Sequence, residues 1–287
     1  MKAFKSINNN IVSAFDDNGR EVVIIGKGVG YKTREGDEIS EDKIDKIFVM
    51  SSQNNIERLK ELFASIPAEY IQLTDEIITY AKQQLNKRLN ESSYFTLADH
   101  INFAISRMEQ GIEFQNVLLS EIRHFYPEEF EIGLHSLRLI QEKFAIHMPV
   151  DEAAAIALHI LNAEYDISVS DAFQATKMLD QIVDIVTEKM MFAIDPGDYY
   201  CERFINHLKF LTQRVARSKP LPDANDYEFF ELMASKYPTE MHCGEVVAAY
   251  ILEKYQYSLS LEEMASIALH LKRIGMQIKN LKMKEGS

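Results

Sequence analysis

The tract Glu152-Ala-Ala-Ala-Ile-Ala-Leu-His159 returns 111 residues later as Glu263-Met-Ala-Ser-Ile-Ala-Leu-His270. Tyr126-Pro127 and Glu142-Lys143 return at the same offset as Tyr237-Pro238 and Glu253-Lys254, without a gap. Upstream, His100-x-x-Phe103-x-x-x-Arg107 returns as His207-x-x-Phe210-x-x-x-Arg214 at an offset of 107, so the second copy has gained four residues between the two landmarks. A period this long with two copies is a duplicated domain, unlike a solenoid of short units that stack on their neighbours.

Both copies carry a helical pattern. Ile77, Ile78, Ala81, Leu85 and Leu89 form one apolar stripe, and Leu97, Ile101, Ala104, Ile105 and Met108 another, at the spacing of helices packed on one side. Pro149-Val150 precedes the acidic pair Asp151-Glu152, which suits the first turn of a helix running through His159. Leu259-Ser260-Leu261-Glu262-Glu263 offers the same start to a helix through His270.

Ahead of the repeat the period changes. Ala3 to Ile7, Ile11 to Phe15, Arg20 to Ile25 and Ile47 to Met50 read as short strands, and Asn18-Gly19 suits a tight hairpin turn. Helix pattern sets in at Asn55. The sequence therefore predicts a multidomain chain: a small N-terminal antiparallel β domain over residues 1–56, then two homologous all-α helical-bundle domains over 57–168 and 169–280, with a tail at 281–287.

Bulk composition narrows the function. Net charge is -13, against coating of nucleic acid by the whole surface, yet residues 1–56 hold eight basic and nine acidic side chains, so a polyanion would meet that segment. Neither an apolar leader nor a run of roughly 18 apolar residues is present, and a cytoplasmic protein without membrane insertion is expected. Cys201 and Cys243 have no metal-ligand spacing around them and read as free thiols.

Of eight histidines, His100, His159, His207 and His270 fall at equivalent places in the two copies. His124, His135, His147 and His242 face other residues and read as incidental. One histidine beside an apolar helix face is ordinarily a hydrogen-bonded core residue; two retained in each copy ask for more. No HExxH, Cys/His cluster or GxSxG accompanies them, so metal binding and hydrolysis lack their partners. Phosphoryl acceptance needs less, because a neutral imidazole nitrogen is nucleophilic and the group it gains is an anion that arginine can grip. Arg107 and Arg214, seven residues after their histidines and on the same helix face, are candidate phosphate partners; solvated arginines fit the spacing equally well.

These residues, together with Ile7-Asn8-Asn9-Asn10, Gly26-Lys27-Gly28-Val29-Gly30-Tyr31, Asp99-His100-Ile101-Asn102-Phe103-Ala104 and Asn206-His207-Leu208-Lys209-Phe210, resemble the BglG/LicT family of transcriptional antiterminators along nearly the whole chain. The resemblance implies a co-antiterminator RNA-binding domain followed by two phosphotransferase-system regulation domains. It implies a homodimer that binds an mRNA hairpin and prevents a terminator from forming. It also implies that His100 and His159 are phosphorylated by a sugar-specific enzyme II, which inactivates, and His207 and His270 by HPr, which activates. RNA contacts would map to Lys5, Asn8, Asn10, Gly26, Lys27, Gly28 and Tyr31. Their chemistry agrees in kind, since amides read base edges, Lys27 meets phosphate and Tyr31 stacks; spacing alone also fits plain turns. Neither cofactor nor metal nor catalytic activity is expected.

Some positions depart from the family's pattern. Lys27 and Tyr31 stand where some members have Arg and Phe, and Lys lacks the bidentate fork. Asn206 precedes its histidine where the first copy has Asp99, which would favour the charged imidazolium beside it. Two rivals stay open at this level: a DNA-binding activator with the same regulatory domains, which needs a helix-turn-helix in front, and a phosphotransfer enzyme, which needs a second acceptor or a nucleotide loop.

Overall fold

Alternation and turn chemistry build the first element group. In the computed structural model, which describes residues 1–49, 57, 60–62, 64–195, 197–218 and 227–285, strands β1 (Lys2–Asn8), β2 (Ile11–Phe15), β3 (Glu21–Ile25) and β4 (Lys46–Phe48) form an antiparallel meander in chain order. The β2–β3 hairpin closes on Gly19 at φ 74, and Asp16 Oδ1 accepts from the backbone N–H groups of Asn18 and Arg20, both at 2.8 Å. With this sheet at the N-terminus, the helix-turn-helix that a DNA-binding activator needs is absent from residues 1–49. Strand limits sit within a residue or two of expectation; the expected strand end at Met50 and helix onset at Asn55 lie outside the described residues.

Register Ile11↔Ile25, Ser13↔Val23 and Val12↔Ile24 gives the sheet two apolar faces. Val12, Ala14, Val22 and Ile24 bury against Val29 and Ile39 of the following loop. Ile11, Val23, Ile25 and Phe48 bury against Ile66, Ile71, Phe95 and Ala98 of the helical segment behind. Ser13 and Glu21 share that second face, and Glu21 is satisfied there by the Ser13 hydroxyl and the Lys60 ammonium.

Helices follow: α1 (Ala68–Leu85), α2 (Ser92–Glu109), α3 (Leu119–Phe125), α4 (Pro127–Phe144), α5 (Val150–Tyr165), α6 (Val169–Met190), α7 (Tyr199–Ala216), α8 (Tyr227–Lys236), α9 (Pro238–Tyr255) and α10 (Leu261–Glu285). Contacts divide the chain into two compact units, one of Met1–Asn116 with Glu128–Asp166, the other of Val117–Pro127 with Ile167–Ser287. In the first unit the two apolar stripes read from sequence meet in one cluster with Ile132, Ile140, Ile156 and Ile160. Leu89 joins it from a loop, because α1 ends at Asn86 in the left-handed region. Each such fully buried aliphatic side chain contributes about 1.5–3 kcal/mol. Among the described residues no helix is long and apolar enough to cross a membrane.

Duplication is visible in the backbone. Tyr126 and Tyr237 each precede a proline that opens a helix, α4 or α9. These two helices end on Ala145 and Gln256, left-handed at φ 56 and φ 54. A Cβ added at Gly133 would lie 2.1 Å from the Ala153 carbonyl oxygen, and one added at Gly244 would lie 2.9 Å from that of Met264. The same helix crossing, α4 on α5 and α9 on α10, thus depends on glycine in both copies. The four extra residues fall between Arg214 and Tyr237, a stretch that includes residues outside the described set.

Candidate functional site

Helices α2 and α5 lie antiparallel in the first unit, with Asn90 N–H bonded to the Ala163 carbonyl at 2.8 Å and the Thr96 hydroxyl to Asn162 Oδ1 at 3.3 Å. That packing carries His100 of α2 onto His159 of α5, ring centroids 4.7 Å apart and planes tilted by 35°. Two turns further along α2, Arg107 pairs with Glu152, which lies two turns before His159 on α5. In the second unit α7 and α10 repeat the arrangement: His207 and His270 at 5.0 Å and 30°, and Arg214 paired with Glu263. All four predicted histidines and both predicted arginines therefore sit at two equivalent helix seams.

Glu152 and Glu263 are members of the seam that sequence reasoning used only as first-turn acids. A signal was present: each precedes its histidine by seven residues, the spacing by which each arginine follows its own. Glu152 is almost wholly buried, its side chain 1% exposed, so removing its charge partner would strand a carboxylate. Arg107 is further held over the rings of Phe114 at 4.3 Å and Phe103 at 5.3 Å.

Electrostatics keep the inner imidazoles neutral. Burial pushes His159 down to about 3, with help from neighbouring His100. Burial also pushes His270 down to about 4, reinforced by His207, Arg273 and Arg203. His207 is lowered by burial and Arg214, against a smaller opposing pull from Glu263. Among the described residues, His100 Nε2, His159 Nδ1 and His207 Nε2 are buried without a hydrogen-bond partner, unlike ordinary core histidines. His100 Nε2 does approach Glu152 Oε2 at 3.2 Å, without hydrogen-bond alignment. Neutral, unbonded imidazole nitrogen is the nucleophilic form.

Asp99, singled out as the cause of a difference between the copies, is exposed on α2. The carboxylate facing that histidine belongs to Glu152. Among the remaining histidines, His124, His147 and His242 are exposed, whereas His135 stacks on Tyr80 at 3.8 Å.

In the β domain, the β1–β2 turn and the glycine loop after β3 close on each other. Gly26 N–H bonds the Asn10 carbonyl, Gly28 N–H the Asn10 side-chain oxygen and Gly30 N–H the Asn9 carbonyl, each at 2.9 Å. A Cβ at Gly30 would meet the Asn8 carbonyl oxygen at 2.0 Å, so the loop reaches the turn because that residue has no side chain. Asn8, Asn10, Gly26, Lys27, Gly28 and Tyr31 thereby form one patch, with the Lys27 and Tyr31 side chains exposed, Tyr31 at 60%. Asn10 spends its side-chain oxygen inside the patch, accepting from Gly28 N–H. Lys5 is exposed on β1 beside Ser6, whose hydroxyl bonds the Gly30 carbonyl at 3.0 Å.

Comparison with known proteins matches both regions. Residues 75–163 and 180–274 fit the model of the PRD domain, and residues 1–57 that of the CAT RNA binding domain. The transcription antiterminator LicT of Bacillus subtilis is 35% identical over 277 residues, 96% of this chain and 100% of its own length. A β-glucoside operon antiterminator of Dickeya chrysanthemi is 34% identical over 278 residues, 97% of this chain and 98% of its own. A crystal structure of GlcT CAT-PRDI, 33% identical, superposes with a TM-score of 0.50 over 57% of this chain and 97% of that one. Strands in front, a duplicated helical domain behind and matches that span nearly the whole sequence lead to one conclusion: the chain belongs to the family of transcription antiterminators that join a CAT RNA-binding domain to PRD domains.

Proposed function

We propose that this antiterminator binds an mRNA hairpin as a homodimer and is switched by phosphorylation of its paired histidines. The carrying observation is the recurrence, at two seams, of two facing imidazoles beside a buried arginine–glutamate pair, with the inner histidines held neutral. A donor phosphohistidine would lose its P–N bond and recover the electron pair on its own imidazole, while the acceptor nitrogen forms the new P–N bond. HPr serves as donor to His207 and His270, and a sugar-specific enzyme II of the phosphotransferase system accounts for His100 and His159.

An added phosphoryl group brings roughly two negative charges to a seam already holding a buried carboxylate. That is enough to redirect Arg107 or Arg214 from its glutamate to phosphate and to repack the helices around it. The RNA surface is the patch of Asn8, Asn10, Gly26, Lys27, Gly28 and Tyr31 with Lys5 beside it, doubled in the dimer to give avidity that a charge-balanced domain lacks alone. Domains are taken as 1–56, 57–168 and 169–280.

Incubation of the full chain with phosphorylated HPr, followed by mass spectrometry under conditions that preserve acid-labile phosphate, tests the site assignment. Label is expected on His207 and His270 and is lost in the H207A/H270A variant. Equal labelling of that variant would overturn the assignment.

A further inference from the structure

The two seams differ at the end away from the arginine–glutamate pair. In the first copy, Thr96 of α2 and Asn162 of α5 face each other as a neutral hydrogen-bonded pair, 3.3 Å apart. The repeat carries these positions, at offsets of 107 and 111, to Arg203 of α7 and Arg273 of α10. Arg203 lies one turn before His207 and Arg273 three residues after His270, and because the helices are antiparallel both fall at the same end of the histidine pair. The approach of the Phe204 ring to His270, centroids 5.8 Å apart, fixes that level of α7 beside the second histidine.

Two guanidinium groups in place of a neutral pair are unfavourable neighbours unless an anion joins them. Neither has a carboxylate partner among the described residues; Arg203 rests on Tyr199, donating to its hydroxyl at 2.9 Å, and both arginines are exposed. Arg214, at the other end, must leave Glu263 to reach a phosphoryl group, whereas Arg203 and Arg273 have no carboxylate to leave among the described residues. Both unpaired charges also help to keep His270 deprotonated.

We infer that Arg203 and Arg273 clamp the phosphoryl group accepted by the second histidine pair, and that the first pair, flanked by Thr96 and Asn162, lacks this clamp. The inference rests on the reading of these histidines as phosphoryl acceptors and adds what holds the modified state. A bidentate guanidinium on each side of a phosphoryl dianion supplies the planar recognition that lysine or a neutral amide does not.

Phosphoramidate, which transfers its phosphoryl group to imidazole nitrogen and leaves as ammonia, tests this on the full chain without a protein donor. The H100A/H159A variant retains the second pair and the H207A/H270A variant the first; the variant lacking all four histidines is the blank for label on exposed histidines. Phosphorus NMR then follows the second ionisation of each phosphoryl group, ordinarily near pKa ~6. In the second pair it is expected to fall by about one unit or more relative to the first, a tenfold or larger loss of proton affinity from facing cations. R203T/R273N is expected to abolish the difference, and T96R/N162R to confer it on the first pair. A second-pair value unmoved by R203T/R273N overturns the clamp alone. No signal above the blank overturns both the clamp and the phosphoryl-acceptor reading beneath it.

Discussion

At the seam of α2 and α5, Glu152 leaves one carboxylate oxygen 3.2 Å from His100 Nε2; at the seam of α7 and α10, the equivalent oxygen of Glu263 accepts the backbone N–H of Ser260 at 2.8 Å. One residue makes the difference. Ser260 caps α10 and closes a reciprocal box with Glu263, whose own N–H bonds the serine hydroxyl at 3.2 Å. The first copy has Pro149 at that position, which has no N–H to give, so Glu152 stays open toward its histidine. A duplicated domain can therefore keep the same four side chains at each seam and still give the two histidine pairs different neighbours, through a helix cap that touches neither histidine.

The largest effect expected from separating the copies comes from their shared glycine crossing. Gly133→Ala drives a methyl group to 2.1 Å from a backbone oxygen, whereas Gly244→Ala brings one to 2.9 Å. Overpacking of this kind costs about 1–3 kcal/mol and more where backbone must move. Thermal denaturation should therefore place Gly133→Ala at or beyond the upper end and Gly244→Ala at the lower; equal losses would show that the two crossings are equally tight.

Acid should separate the copies next. His159 and His270 bind protons at about 3 and about 4 in the folded chain, against an ordinary histidine value near 6.5. Between those values the unfolded chain binds more protons than the folded one, so stability is present above pH ~6.5 and is lost as pH falls through the window, by up to about 1.4 kcal/mol per pH unit for one such group. Denaturant melts at pH 7 and pH 5 should show the loss reduced about equally in His159→Gln and His270→Gln, and melts between about pH 4 and pH 3 should separate the copies, because there only the His159 contribution keeps falling steeply.

The smallest effect is the sharpest. Ser260→Pro removes the N–H that holds Glu263, frees that oxygen toward His207 and should raise the histidine by less than about one unit, read by NMR titration. Pro149→Ser should do the reverse to the seam of the first copy, closing the cap on Glu152 and adding about 1 kcal/mol of stability. Cap variants that leave both seams unchanged would separate the cap from the site.

Much of this was legible in the sequence because the repeat filters it. Histidines at 100, 159, 207 and 270 stood out by their equivalence, and periodicity of 2 followed by 3.6 divided sheet from helices. What stayed hidden depends on packing between elements distant in sequence. Glu152 and Glu263 looked like favourable charges at helix starts until the antiparallel seam brought Arg107 and Arg214 onto them. Asp99 drew attention because it is next to His100 in sequence, but a second carboxylate, Glu152, reaches 3.2 Å from that imidazole from another helix and could not be read from adjacency. Asn10 read as a base-reading amide; half of it turns out to hold the glycine loop in place.

Binding of a stem-loop RNA by the full chain tests the central claim, that two unequal histidine pairs set one RNA-binding output. Gel shift should be run with H100A/H159A and with H207A/H270A, each before and after phosphorylation. Opposite signs are expected: tighter binding when the second pair alone is modified and weaker binding when the first pair alone is modified. The same sign in both, or no change in either, would contradict that claim.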